Sequence, residues 1–291
     1  MGLAFADLRN LLEHAAALRG ARILMLGRQT VYLHRSELKQ LADLDQASSA
    51  GRWCETYQRG EYAERFFIEV MGASSVDSLD FSDYEGATVI HDLNEPLTFD
   101  LIEAFDMVID GGTLEHVFNF PAALTNFIRL ARVGGLLYTQ GPCNNLCGHG
   151  FYQYSPELIY RAFSPANGLK TLMVRLAVAR RKVVDLTTTR YSVYEVADPE
   201  CMGERVNLIN SRPVMIMAMA QRISSIDPFK ERMFQSSYVG LWRDDRVAPA
   251  TGKAKILVRK YLPGSIVTIL RTMYQTSKAN LRYRRFYKKL W

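Results

Sequence analysis

Three aspartates share one placement in the chain. Asp80, Asp92 and Asp110 close the short strand-like runs Val76–Asp80, Ala87–Asp92 and Phe105–Asp110. A carboxylate at a strand end can accept both hydroxyls of a ribose, or an amine donor. It can equally cap a helix or face solvent. His116 follows the last of these runs, and His149 lies in Cys143-Asn-Asn-Leu-Cys-Gly-His-Gly-Phe-Tyr-Gln-Tyr154. An imidazole titrates near neutrality, so either histidine can act as a general base toward a hydroxyl or serve as a hydrogen-bonded structural group. Tyr152 and Tyr154 can wall a substrate or join the core. Cys143, Cys147 and His149 have spacing acceptable for zinc, but no fourth ligand stands near them, so no metal is expected.

These residues need a scaffold, and the hydrophobic pattern supplies one. Arg22–Leu26 is an apolar run leading into Gly27, as expected of a buried parallel strand. Leu136–Thr139, Thr171–Val178 and Pro213–Arg222 read as further strands. Between and before them, Phe5–Leu18, His34–Leu44, Tyr62–Met71 and Phe120–Arg132 read as helices, and Ser155-Pro156 opens another with Ser as N-cap. Ser48–Gly60 reads as irregular. Alternating strands and helices imply a doubly wound α/β fold, with a mostly parallel sheet and helices on both faces. Ligands of such sheets bind beyond the carboxyl ends of the strands, where Gly27, Asp80, Asp92 and Asp110 sit.

Phe105-Asp-Met-Val-Ile-Asp-Gly-Gly-Thr-Leu-Glu-His-Val117 resembles the fourth-strand segment of class I S-adenosylmethionine-dependent methyltransferases. Leu130-Ala-Arg-Val-Gly-Gly-Leu-Leu137 is similar to their turn into the fifth strand, and Ala87-Thr-Val-Ile-His-Asp-Leu-Asn94 to their third strand. The resemblance covers about residues 20 to 222 and implies S-adenosylmethionine as cofactor. It assigns the ribose to Asp80 and the adenine side to Asp92; cofactor contacts are also expected at Gly27, Arg28, Gln29, Phe81, Leu93, Asp110 and Gly111. Methyl transfer to a hydroxyl is helped by a base, so His116 and His149 are the expected catalytic groups, with Tyr152 and Tyr154 expected at the substrate. The segment Leu24-Met-Leu-Gly-Arg-Gln-Thr30 departs from the family: Met25 stands where an acid is usual, and of the glycines only Gly27 is present. Arg28 either pairs with the cofactor carboxylate or fills the pocket. Residues 31–60 read as an insertion, forming either a lid or substrate wall or plain packing. A dinucleotide dehydrogenase fits less well, because Gly27-Arg-Gln-Thr30 lacks the turn that cradles a pyrophosphate.

The charge is uneven. Residues 246–291 carry twelve Lys and Arg and no acid, leaving the rest of the chain at a net −6. The expected organisation is an α/β domain over 1–245 and a basic amphipathic extension over 246–291. Apolar and aromatic residues interleave with these cations, which suits an anionic membrane surface; nucleic acid fits less well, and packing on the body or disorder is the remaining reading. No 18-residue uncharged apolar run exists, and the N-terminus lacks the apolar core of a signal peptide, so a cytoplasmic protein is expected, perched on the inner face of the membrane if the extension binds lipid. The functional expectation is O-methylation of a sugar or other small-molecule hydroxyl, lipid-linked if the extension meets membrane. The alternative is a non-catalytic protein of this fold acting as a binding or scaffolding partner.

Overall fold

The computed structural model describes residues 2–44, 49–182, 186–242 and 264–291. Its strands are β1 (Gly2–Ala4), β2 (Arg22–Leu26), β3 (Thr30–Tyr32), β4 (Ser75–Asp80), β5 (Val89–Ile90), β6 (Phe105–Gly111), β7 (Ala131–Asn144), β8 (Leu169–Ala179), β9 (Tyr191–Val196), β10 (Val214–Arg222) and β11 (Tyr287–Lys289). Nine of them form one sheet in the order β11-β9-β8-β10-β7-β6-β2-β4-β5. The run from β5 to β7 is parallel. Strand β10 enters antiparallel between β7 and β8. This is the class I methyltransferase arrangement that the motif order implied.

Residue types explain the layers. Ile23 to Leu26 are all buried, as a strand covered on both faces requires. Leu24 and Leu26 face one core, together with Val108, Phe127, Ile159 and Phe163. Ile23 and Met25 face the other, with Leu8, Leu11, Trp53, Phe66 and Phe67. Strand β10 divides in the same way: Ile216 and Ala218 go to the first core, Met215, Met217 and Met219 to the second. Ser155 caps its helix as expected, its hydroxyl accepting the Leu158 amide at 3.1 Å.

Several expectations need correction. The first helix breaks into Phe5–Leu12 and Ala15–Leu18, and the expected helix Tyr62–Met71 contains a π-turn at Phe66–Val70. The third strand shrinks to Val89–Ile90, since it sits at the sheet edge with a single neighbour. Ser49–Thr56, read as irregular, is helical and buries Trp53 edge-on to Phe66, with ring centroids 5.3 Å apart. Among the described residues of 31–60, this helix packs into the core and Tyr32 reaches the cleft described below.

The division at residue 245 also fails for the end of the chain. Strand β11 pairs with β9, and Phe286 and Tyr287 are 2% exposed. The Val193 amide donates to the Trp291 carbonyl at 2.9 Å, while the Arg9 guanidinium lies 3.9 Å from the Trp291 ring centroid. Two aromatics and an edge strand complete the sheet, so residues 279–291 belong to the α/β body. The helix Gly264–Lys278 remains exposed along Ile269, Leu270, Met273 and Tyr274. The apolar and basic run 253–262 lies outside the described residues. No described helix is long and apolar enough to cross a membrane.

Candidate cofactor and acceptor site

The chain leaves β2 toward β4 and β5 on one side, then returns through β6 to β7 on the other. That reversal places a crevice at the carboxyl ends of β2 and β6, where doubly wound sheets hold their ligands. Register aligns the two ends: Leu26 stands opposite Asp110, and Asp110 opposite Thr139. A cleft of about 380 Å³ opens there. Its walls include Ala4 and Asp7 from the N-terminal segment, Tyr32, Gly111 and Gly112, Glu115 and His116, Gln140 and His149. Parallel pairing of β1 with β3 folds the N-terminus over this end of the sheet, and Gln140 Nε2 donates to the Gly2 carbonyl at 2.9 Å.

The three strand-end aspartates occupy different environments. Asp80 is half-buried, and its Oδ1 accepts the Phe81 amide at 2.7 Å, with Phe81 itself 72% exposed. Asp92 accepts both the amide and the side-chain nitrogen of Asn94, which hold its carboxyl below the usual range. Leu93, beside it, is buried in the core. Asp110 has no exposure. Its Oδ1 accepts the amides of Gly112, Thr113 and Leu114, and its Oδ2 accepts the Thr139 hydroxyl at 2.6 Å. Burial, and next the charge of Glu115, raise its pKa to about 7. Asp110 therefore caps the turn that carries Glu115 and His116, and its carboxylate has no face toward a ligand.

The loop after β2 keeps its turn at Gly27, which has φ +66°. Arg28 is already engaged: its Nε lies 2.6 Å from Glu64, its Nη1 donates to the Glu85 carbonyl, and its guanidinium stacks 3.8 Å from the Tyr62 ring centroid. Gln29 is fully buried, and its amide donates to the Leu26 and Gly27 carbonyls. Its side chain packs on Gly111, where an added Cβ would fall 2.6 Å from Gln29 Cδ. The cleft walls include Gly111 but neither Arg28, Gln29, Asp80 nor Asp92.

His116 and His149 come together as neighbouring rings, with centroids 5.3 Å apart. The sequence reading gave no role to Glu115, which stands next to His116 with no exposure. Its Oε1 lies 3.4 Å from His149 Nε2, and Tyr154 donates toward its Oε2 at 3.4 Å. Tyr154 is core, packed on Gly141 and Phe120, so the substrate-wall reading does not hold for it. Tyr152 is half-buried and donates to the Phe118 carbonyl. Phe118 and Phe151, each two residues past a histidine, form an exposed edge-to-face pair at 5.6 Å. Burial pushes the Cys143 thiol up to about 12, and Cys147 is exposed; neither joins His149.

No family model matches the chain, and no curated protein matches it. Solved structures similar to it include geranyl diphosphate methyltransferase in complex with SAM, at TM-score 0.42 and 12% identity over 75% of this chain and 85% of that one. A second is 1,6-didemethyltoxoflavin-N1-methyltransferase of Burkholderia thailandensis, at 0.38 and 13% over 76% and 78%. A third is the branched-chain polyamine synthase of Thermus thermophilus, at 0.36 and 14% over 80% and 60%. The likeness is one of fold.

Proposed function

We propose that this protein is an S-adenosylmethionine-dependent methyltransferase acting on a hydroxyl of a small molecule, such as a sugar or a lipid-linked glycan. The observation that carries the reading is the cleft at the strand-order reversal, walled by Gly111, Gly112, Glu115, His116 and His149. Its volume of about 380 Å³ is in the range of small-molecule sites.

The residues present fit the cofactor. Gly27 supplies the positive-φ turn, Asp80 has Oδ2 left over for a ribose hydroxyl, and Phe81 offers an exposed ring beside it. Asp92 and the backbone around Leu93 would take the adenine side. When bound, S-adenosylmethionine supplies an electrophilic methyl group. The chain's own part is to align an acceptor in the cleft and keep water out. His116 and His149 face the acceptor and polarise its hydroxyl. Phe118 and Phe151, each two residues past a histidine, offer an exposed aromatic pair to an apolar portion of the acceptor. The exposed apolar side chains of helix Gly264–Lys278 favour lipid as the surface where such an acceptor is met.

A non-catalytic binding role is favoured by one observation, the Gln29 side chain packed on Gly111 in the space that glycines usually leave open. Calorimetry with S-adenosylmethionine and S-adenosylhomocysteine separates the two readings. Saturable binding of both is expected; silence at about millimolar cofactor, roughly −4 kcal/mol on the affinity scale, would sink the enzyme reading.

A further inference from the structure

We infer that Glu115, His116 and His149 form a binding site for one divalent transition-metal ion. These are the three side chains that, among the described residues, bring ligand atoms within 4.8 Å of one another. Ligands held about 2.1 Å from a tetrahedral centre stand about 3.4 Å apart. The distance from Glu115 Oε1 to His149 Nε2 is 3.4 Å, one edge of such a tetrahedron. His116 is exposed, with a ring nitrogen within 4.8 Å of both other ligand atoms.

The second observation is independent of spacing. Glu115 has no exposure, and its Oε1 accepts no hydrogen bond. A buried carboxylate oxygen without a partner carries its full desolvation cost. Asp110, equally buried, lies close enough for the two charges to interact. Neither carboxylate pairs with a Lys or Arg among the described residues. A buried carboxylate oxygen that accepts no hydrogen bond, 3.4 Å from His149 Nε2 and beside His116, is a place for a cation. The backbone holds Glu115 in place: its carbonyl accepts the amides of Phe151 and Tyr152, so the loop bearing His149 is tied to the turn bearing His116.

One carboxylate and two imidazoles suit zinc, manganese, iron(II) or cobalt(II) better than magnesium, which prefers oxygen ligands alone. Three protein ligands leave open coordination positions, and all three residues wall the cleft. An acceptor hydroxyl bound at an open position loses its proton to solvent more readily and is held for attack. The site stands on its own geometry; only this role for the ion rests on the methyl-transfer reading.

The test uses full-length, tag-free protein stripped with a chelator and titrated calorimetrically with zinc, manganese, cobalt and magnesium chlorides. One zinc, manganese or cobalt ion per chain is expected, with magnesium much weaker. His116→Ala and His149→Ala should each weaken binding at least about tenfold, and Glu115→Gln likewise, while His14→Ala leaves it unchanged. Cobalt should also give a visible absorption band that His149→Ala abolishes. His116 is exposed, so its variant tests the site without threatening the fold. No saturable binding of any of these ions up to about 1 mM, or affinities indifferent to both histidine variants, overturns the proposal. Cofactor titration of the stripped protein is measured separately. Cofactor binding without metal binding refutes the ion and leaves the methyltransferase reading; metal binding without cofactor binding does the reverse.

Discussion

Two of the strand-end aspartates should fail in opposite ways. Asp110 is fully buried and accepts three backbone amides and one hydroxyl. Its shortest bonds, from the Thr113 amide at 2.8 Å and the Thr139 hydroxyl at 2.6 Å, orphan two donors when the carboxylate is removed. At about 1–3 kcal/mol each, less the relief of a buried charge, Asp110→Ala should cost about 3 kcal/mol. That lowers the melting temperature by about 5 °C in a chain of 291 residues. Asp80 gives up only the Phe81 amide, next to solvent. Asp80→Ala should leave stability within about 0.5 kcal/mol. If Asp80 holds the ribose, its loss weakens S-adenosylmethionine binding by about 1.5–3 kcal/mol, which is roughly 10- to 150-fold. Scanning calorimetry and titration calorimetry on the two variants read both axes. An Asp80→Ala protein that melts early yet binds cofactor normally would refute the assignment of Asp80 to the ligand.

Removing residues 279–291 should destabilise the body severely, by more than about 3 kcal/mol, because Phe286 and Tyr287 leave the core; circular dichroism melting checks this, and a stable truncated chain would contradict the docking of β11. Burial raises the Asp7 carboxyl from 3.8 to about 6, against hydrogen bonds from Tyr138 and the Ala4 amide. The folded chain therefore holds that proton to higher pH, and Asp7 lowers stability by roughly 3 kcal/mol as pH rises from near 3.8 through about 6; because Asp110 adds its own fall over the same window, urea unfolding should show a loss about 3 kcal/mol smaller in Asp7→Asn than in wild type. Full-length protein should sediment with anionic vesicles and release at high salt, and Ile269→Asp with Met273→Asp should abolish the binding if helix Gly264–Lys278 is the contact.

The strands that frame the cleft were legible because they are buried on both faces. Ile23–Leu26, Met107–Ile109 and Val214–Ala220 are continuous apolar runs of strand length. Strand β9 was missed although Tyr191-Ser-Val-Tyr-Glu-Val196 alternates, since its polar positions look like loop. The end of the chain was misread for a physical reason: Arg284, Arg285, Lys288 and Lys289 dominate the composition, yet two aromatics between them decide the packing. At the site, the histidines stood out by type. Glu115 did not, because nothing in a Leu-Glu-His sequence says whether the carboxylate is buried; that is decided by Tyr154 and Gly150, which reach it from beyond the next strand. Asp110 resembled Asp80 in sequence, and only the backbone turn that follows it reveals a cap.

The unusual loop after β2 redistributes its glycines across the crevice. Close approach between the loop and the end of β6 survives, but the space is occupied by the Gln29 side chain, and the glycine that permits this is Gly111 on the facing strand. A methyl group on Gly111 would fall 2.6 Å from Gln29 Cδ, closer than atoms pack without displacement. Gln29 cannot swing away cheaply, since its amide is anchored to the Leu26 and Gly27 carbonyls in a buried setting. Gly111→Ala alone should therefore cost about 1–3 kcal/mol by overpacking. Gln29→Ala alone should cost about 1–2 kcal/mol through the lost hydrogen bond and the void. The double variant should be less damaged than the sum, with a coupling of at least about 1 kcal/mol, because the new methyl group takes up part of the vacated volume. Additive losses in urea unfolding would show that the two residues do not share that space. The same variants then report on the ligand: Gln29→Ala tightens S-adenosylmethionine binding if the side chain blocks the cofactor's amino-acid end, and weakens it if Gln29 is a contact. A change of either sign ties the strut to the cofactor, whereas an unchanged affinity confines the cofactor to the cleft side of Gly111.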